Sequence, residues 1–262
     1  MDTVTLTTAD GLNLFAMLGT VLWHALRIGA ALQVLPVIGG RSLPVRARLI
    51  LTIALSAAIS TVLPAPPPAA VDAATVLDVV REFAIGVAIG MMVRLAFEAG
   101  RLAGEMIAQG MGLAFATLAD PLSGASSQVL SQWFYLVFAL LFFTLDAHLA
   151  LVQVLADSYR TLPIGAPIAD LPAFVAAVPA FFNIVLKAGV LLALPVTIAL
   201  LAVNLAFGVL ARAAAQLHPM ALGLPVALLT GLMLMAVLAR GLQDPVEALF
   251  EQAFAAARAI TG

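Results

Sequence analysis

The chain has 262 residues, 63% of them hydrophobic and 10% charged, with a net charge of -2 and no cysteine. A soluble domain carries roughly 25% charged and about 45–50% apolar residues, so this inventory cannot cover a surface with water-compatible groups. The apolar runs are continuous rather than alternating, which excludes an outer-membrane barrel and predicts an all-α integral membrane protein. Without cysteines there are no disulfides or thiolate metal sites, and the small net charge gives no footprint for nucleic acid. The opening "MDTVTLTTAD" is acidic and has no basic n-region, so the first apolar segment is expected to remain in the mature protein.

Six apolar segments follow in chain order: Leu12–Ile38, Leu49–Leu63, Phe83–Phe97, Trp133–Ala156, Phe174–Leu210 and Met220–Leu238. A membrane crossing needs about 20 apolar residues, and several of these fit badly. Arg27 lies inside the first, and the second and third are short. The fourth is interrupted by Asp146 and His148. The fifth is too long for one crossing and contains Pro179, Lys187 and Pro195. A charge facing lipid at mid-bilayer costs about 2.5–3.5 kcal/mol, so kinked helices buried against other protein are expected rather than six clean spans. Between the segments lie a basic turn, "GGRSLPVRAR" (Gly39–Arg48), a proline-rich connection, Pro64–Asp78, and a break at Arg160–Pro172. The positive-inside rule puts Gly39–Arg48 on the cytoplasmic side and Pro64–Asp78 opposite, leaving the N-terminus periplasmic.

Arg94, Glu98, Arg101 and Glu105 recur at spacings of four, three and four. On a helix they form one stripe of alternating sign, which either pairs within itself or meets a neighbouring subunit or a polar passage. Gly86 and Gly90 make one GxxxG pair and Gly100 and Gly104 another, so a helix backbone can approach closely on this stretch. Together they mark Phe83–Gly112 as a candidate assembly face. Asp146 and His148 invite a proton-relay reading, but a helix end near the interface explains them with less. Lys187 and Asn204 read as a snorkelling cation and an interhelix hydrogen-bonding group. No HExxH, P-loop or GxSxG occurs, and His24, His148 and His218 are scattered, so neither catalysis nor a cofactor is expected.

Four blocks carry a resemblance to a known family: "RIGAALQVLPVIGGRSLPVRARLILTIALS" from Arg27, "REFAIGVAIGMMVRLAFEAGRLAGEMIAQGMGLAFATLADPLSGASSQVL" from Arg81, "LDAHLALVQVLADSYRTLPIG" from Leu145, and "LPVTIALLAVNLAFGVLARAAAQL" from Leu194. Over about Leu12 to Leu238 the chain resembles the FliR family, inner-membrane subunits of the bacterial flagellar type III export gate. Asp120-Pro121, the Leu-Asp-x-His-Leu block and "RTLPIG" lean flagellar, against the related injectisome T subunit. The stretch "LHPMALGLP" departs from the family pattern, so no role is carried onto it. A lone membrane transporter or channel is the reading from another class.

The resemblance implies a subunit that assembles with several P and Q subunits, and with the substrate-switch subunit FlhB, around a path for unfolded export substrates. Residues 1–160 would resemble a P subunit and 161–262 a Q hairpin. The family also implies a loop that plugs the closed pore, here Gly110 to Gly124, with Gly110, Gly112, Phe115, Leu118, Asp120, Pro121 and Gly124 as its key residues. The physics suits that role. Glycines permit close approach and rearrangement, Pro121 opposes helix continuation, and Phe115 and Leu118 supply apolar bulk among alanines.

Overall fold

The structure is a computed structural model that describes residues 14–40, 43–63, 72–113, 128–213 and 219–262. Among the described residues there are nine helices and no strand: α1 (Leu14–Val34), the single turn α2 (Pro36–Gly39), α3 (Val45–Ser60), α4 (Ala73–Gly110), α5 (Gln128–Thr144), α6 (Ala147–Thr161), α7 (Leu171–Ala213), α8 (Pro219–Ala239) and α9 (Gln243–Thr261).

Local chemistry sets several boundaries. Pro36 lacks the N–H that would continue α1, so Leu35 turns extended (φ -57°, ψ 134°) and α2 restarts behind it. Asp72 caps α4, accepting the Thr75 amide at 2.8 Å, and this hydrogen bond, followed by that of the Thr75 hydroxyl, holds its carboxyl below the ordinary 3.8. Asp170 caps α7 in the same way through the Ala173 amide at 2.9 Å.

Two compact units divide the chain, each built from separate stretches: 1–94 with 148–181 and 253–262, and 95–147 with 182–252. Both draw on chain from either side of Thr161, and α4 contributes to both. In the first unit, Ile28 and Ala31 of α1, Leu35 just after it, and Ile85, Ile89 and Met92 of α4 recur every three or four residues and are buried. Gly29 admits Thr52 of α3, whose hydroxyl donates to the Arg48 carbonyl of its own helix at 2.9 Å. The second unit is centred on four buried phenylalanines, Phe97, Phe138, Phe142 and Phe250. Their ring centroids lie 5.4–6.2 Å apart in tilted and edge-on arrangements, which aromatic quadrupoles favour.

The spans depart from the apolar runs in instructive ways. Among the described residues two helices are long and apolar enough to cross a membrane, within Ala16–Val34 and Leu171–Leu210. Two further pairs pass only as bent units: α5 with α6, bent by 69°, and α8 with α9, bent by 65°. The bends meet the expectation of kinked helices. The long fifth segment, however, is one continuous helix of 43 residues. Pro179 and Pro195 each withdraw an N–H from α7 without ending it. The short third segment is the middle of a 38-residue helix, shortened on paper only because charges interrupt its apolar run. α9 lies beyond the six apolar segments, and its longest apolar run is the five residues Ala253–Ala257. Its buried Val246, Leu249, Phe250, Ala253, Ala257 and Ile260 share one face, while Asp244, Glu247 and Glu251 are exposed.

Candidate functional site

α4 carries the chain's candidate face, and its glycines are placed by what lies against them. In the first unit, a Cβ on Gly86 would collide with the Arg27 carbonyl, and one on Gly90 would come within 2.6 Å of the Ala31 carbonyl. In the second, a Cβ on Gly100 would meet the Phe138 ring at 2.7 Å, and one on Gly104 the backbone of Leu130 and Ser131 at 2.7 Å. The close approach that GxxxG spacing predicts is therefore made with α1 and α5 of this same chain.

The charge stripe is less closed. Among the described residues its one ion pair joins Arg101 to Glu98 at 3.8 Å, with side chains 44% and 39% exposed. The Arg101 guanidinium lies 4.7 Å over the Tyr135 ring. Among the described residues Glu105 accepts long hydrogen bonds, from Ser131 Oγ at 3.4 Å and Gln109 Nε2 at 3.5 Å. Arg94 is exposed and forms no ion pair with a described residue. The i,i+4 rungs of the expected ladder are not made.

At the C-terminal end of α4 the backbone closes in a Schellman motif. Gly112 takes φ 77°, its N–H donates to the Gln109 carbonyl at 3.0 Å, and the Leu113 N–H donates to the Ala108 carbonyl at 3.1 Å. The helix thus ends on Gly112, ahead of Pro121. Asn204 of α7 donates its amide to the Gly110 carbonyl at 3.0 Å, the interhelix bond its sequence setting suggested. Gly110 faces Leu200, and Met111 is seated against Gly231 of α8. Beside this stem is a cavity of about 510 Å³ lined by Gln109, Met111, Asn204, Phe207, Gly223 and Leu224. Phe115, Leu118, Asp120, Pro121 and Gly124 lie outside the described residues.

A second polar cluster escaped sequence reasoning. Arg27 and Glu82 are both fully buried in the first unit and form a bidentate pair, with Nε–Oε2 and Nη2–Oε1 each at 2.8 Å. The remaining guanidinium hydrogens donate to the Ser158 carbonyl (2.8 Å), Ser158 Oγ (3.0 Å) and the Leu162 carbonyl (2.9 Å). The Tyr159 ring lies 4.2 Å beneath the guanidinium, and its hydroxyl donates to the His24 carbonyl at 2.8 Å. Arg27 therefore joins α1 to α4 and closes the carbonyl end of α6. Its position inside an apolar segment was the available signal, but no local pattern singles out Glu82, 55 residues away, as the partner.

Asp146 sits just past the end of α5, at the bend between α5 and α6, with φ 54°. Lys187 is exposed, as a snorkelling cation should be. Among the described residues no group of three His, Asp or Glu side chains converges to hold a metal.

These features define an all-α integral membrane protein with two or more helices able to cross the membrane. The chain belongs to the bacterial export proteins, family 1, whose pattern matches residues 18–253. Its relatives carry one name. It is 38% identical over 237 residues to the flagellar biosynthetic protein FliR of Escherichia coli K12, covering 90% of each chain. It is 36% identical over 232 residues to that of Pectobacterium carotovorum (88% of each). Against that of Aquifex aeolicus it is 29% identical over 220 residues, 82% of this chain and 83% of that one. The chain is a component of the flagellar export apparatus, resident in the inner membrane at the basal body.

Proposed function

We propose that this chain is a non-catalytic subunit of the export gate, helping to form and to plug the pore through which unfolded substrates cross the inner membrane. In this reading it assembles with P and Q subunits and adjoins FlhB, with residues 1–160 standing in for a P-like and 161–262 for a Q-like element. The observation that carries the reading is the stem: a helix stopped by a left-handed Gly112 and tied at Gly110 to Asn204. A plug must be held at its root and free to be displaced beyond it. Non-helical backbone at membrane depth is tolerated only inside protein or beside a water-filled cavity.

A lone ion carrier is less well supported. Among the described residues the fully buried charges are Arg27 and Glu82, which neutralise one another rather than line a route. Many large apolar side chains, including Ile198, Leu205, Met233 and Val237, are more than half exposed, a surface that calls for lipid or partner helices. Two experiments test the proposal. The chain should co-purify with co-expressed P and Q subunits; if it is monodisperse alone and never elutes with them, the gate reading fails. Deleting Gly112–Leu122 from the assembled gate should raise ion leak across the membrane, and an unchanged leak removes the plug.

A further inference from the structure

Resting on the export-gate reading, we propose that α4 offers a docking seam for one helix of a different subunit, and that this helix carries charges in the order acidic, basic, acidic, basic opposite Arg94, Glu98, Arg101 and Glu105. Between residues 84 and 105 the helix is buried within its own chain except along one narrow line. The line begins with Ala84, Val87 and Met91 and continues through the four charged residues. Its steps are three, four, three, four, three and four. Only Leu95 and Leu102, which flank it at the same seven-residue interval, are also left unburied.

That spacing averages 3.5 residues, the repeat by which one helix follows another with knobs set into holes. A straight helix drifts by about 20° per heptad relative to it, so a partner would follow the line with a left-handed wrap. From Ala84 to Glu105 the seam is about 32 Å long at 1.5 Å per residue.

The charges decide the occupant. Lipid would leave four ionisable groups without polar partners, which hydrocarbon disfavours. The local partners are weak: one ion pair at 3.8 Å, and long hydrogen bonds to Glu105. A water passage would suit the charged half but not the apolar half that continues the same line. A second copy inserted in the same orientation would run parallel and, in register, set like charge against like, which costs several kcal/mol; an antiparallel copy would have the complementary order but requires the opposite orientation in the membrane. A helix of another subunit with the complementary order satisfies both halves.

Because the chain has no cysteine, single-cysteine variants report on the seam directly. Glu98→Cys and Arg101→Cys should react with a membrane-impermeant charged maleimide in the purified chain. In the co-purified gate assembly they should react about tenfold more slowly or less, because interface contacts exclude water. Arg101→Glu should lower the recovered partner by about tenfold or more while Arg101→Lys retains it. The swap Glu98→Arg with Arg101→Glu should not restore it. Full labelling in an intact assembly, a disulfide-linked homodimer through Cys variants of Arg101, or rescue by the swap would each overturn the seam while leaving the gate reading in place. Failure of the unaltered chain to assemble at all would instead remove the gate reading.

Discussion

Glu82→Ala is the sharpest test of what holds the first unit together. The substitution strips Arg27 of the bidentate carboxylate at 2.8 Å, leaving a fully buried guanidinium with only Ser158 and Leu162 as acceptors. Removing one member of a buried pair typically costs about 3–5 kcal/mol, because the remaining charge is uncompensated. Arg27→Met should cost at least as much, since it strands the Glu82 carboxylate and also the carbonyls at the end of α6. The double variant Arg27→Met with Glu82→Leu removes both charges and should recover most of the loss. It will not recover all of it, because the Ser158 and Leu162 carbonyls lose their donor, at about 1–3 kcal/mol for a buried group left unpaired. The assay is the denaturing-detergent midpoint of the full chain in mixed micelles, read beside its steady-state amount in membranes. A loss under about 1 kcal/mol for Glu82→Ala, the range of exposed ion pairs, would refute the reasoning. So would a double variant as unstable as either single one.

Three further outcomes are expected. Gly104→Leu drives a side chain into the backbone of Leu130 and Ser131 and should cost at least the roughly 1–3 kcal/mol of core overpacking, whereas Gly19→Ala, with nothing within 4 Å, should gain about 0.4–1 kcal/mol; both are read from the same detergent midpoint. Asp146 holds φ 54°, so Asp146→Gly should be tolerated and Asp146→Val should lose roughly 1–2 kcal/mol, again by that midpoint. Asp72 has a lowered carboxyl pKa in the folded chain, so its cap contributes above the ordinary carboxylate value and is lost as pH falls through the lowered one. Amide exchange at Thr75 should accelerate over that acidic window and lose this pH dependence in Asp72→Asn.

What was legible in the sequence follows from which signals are local. The all-α membrane class is legible in composition and in continuous apolar runs, and the bend between α5 and α6 falls where Asp146 and His148 break such a run; the bend between α8 and α9 lies past the last run and left no such mark. α9 was missed because a half-buried helix has a period but no long run, and run-finding sees only helices that are apolar all round. α7 was doubted because prolines break helices in water, yet a long helix supported on both sides of a proline tolerates a missing N–H. The glycines were legible as close-packing positions. Whether the packed helix belonged to this chain or to a neighbour was not, since GxxxG spacing is the same in both cases.

The two sets of charges on this chain answer that last question differently. Arg27 spends every guanidinium hydrogen on partners in its own chain and is inaccessible. Arg94 and Arg101, on a helix whose other sides are buried, remain exposed, the first without an ion pair among the described residues and the second with only a long one. A protein that closes one buried charge so completely is not short of means to close others. An open charged line of heptad spacing therefore argues that the fold is complete around Arg27 and incomplete along α4. The partner helix proposed for that seam is what would close it.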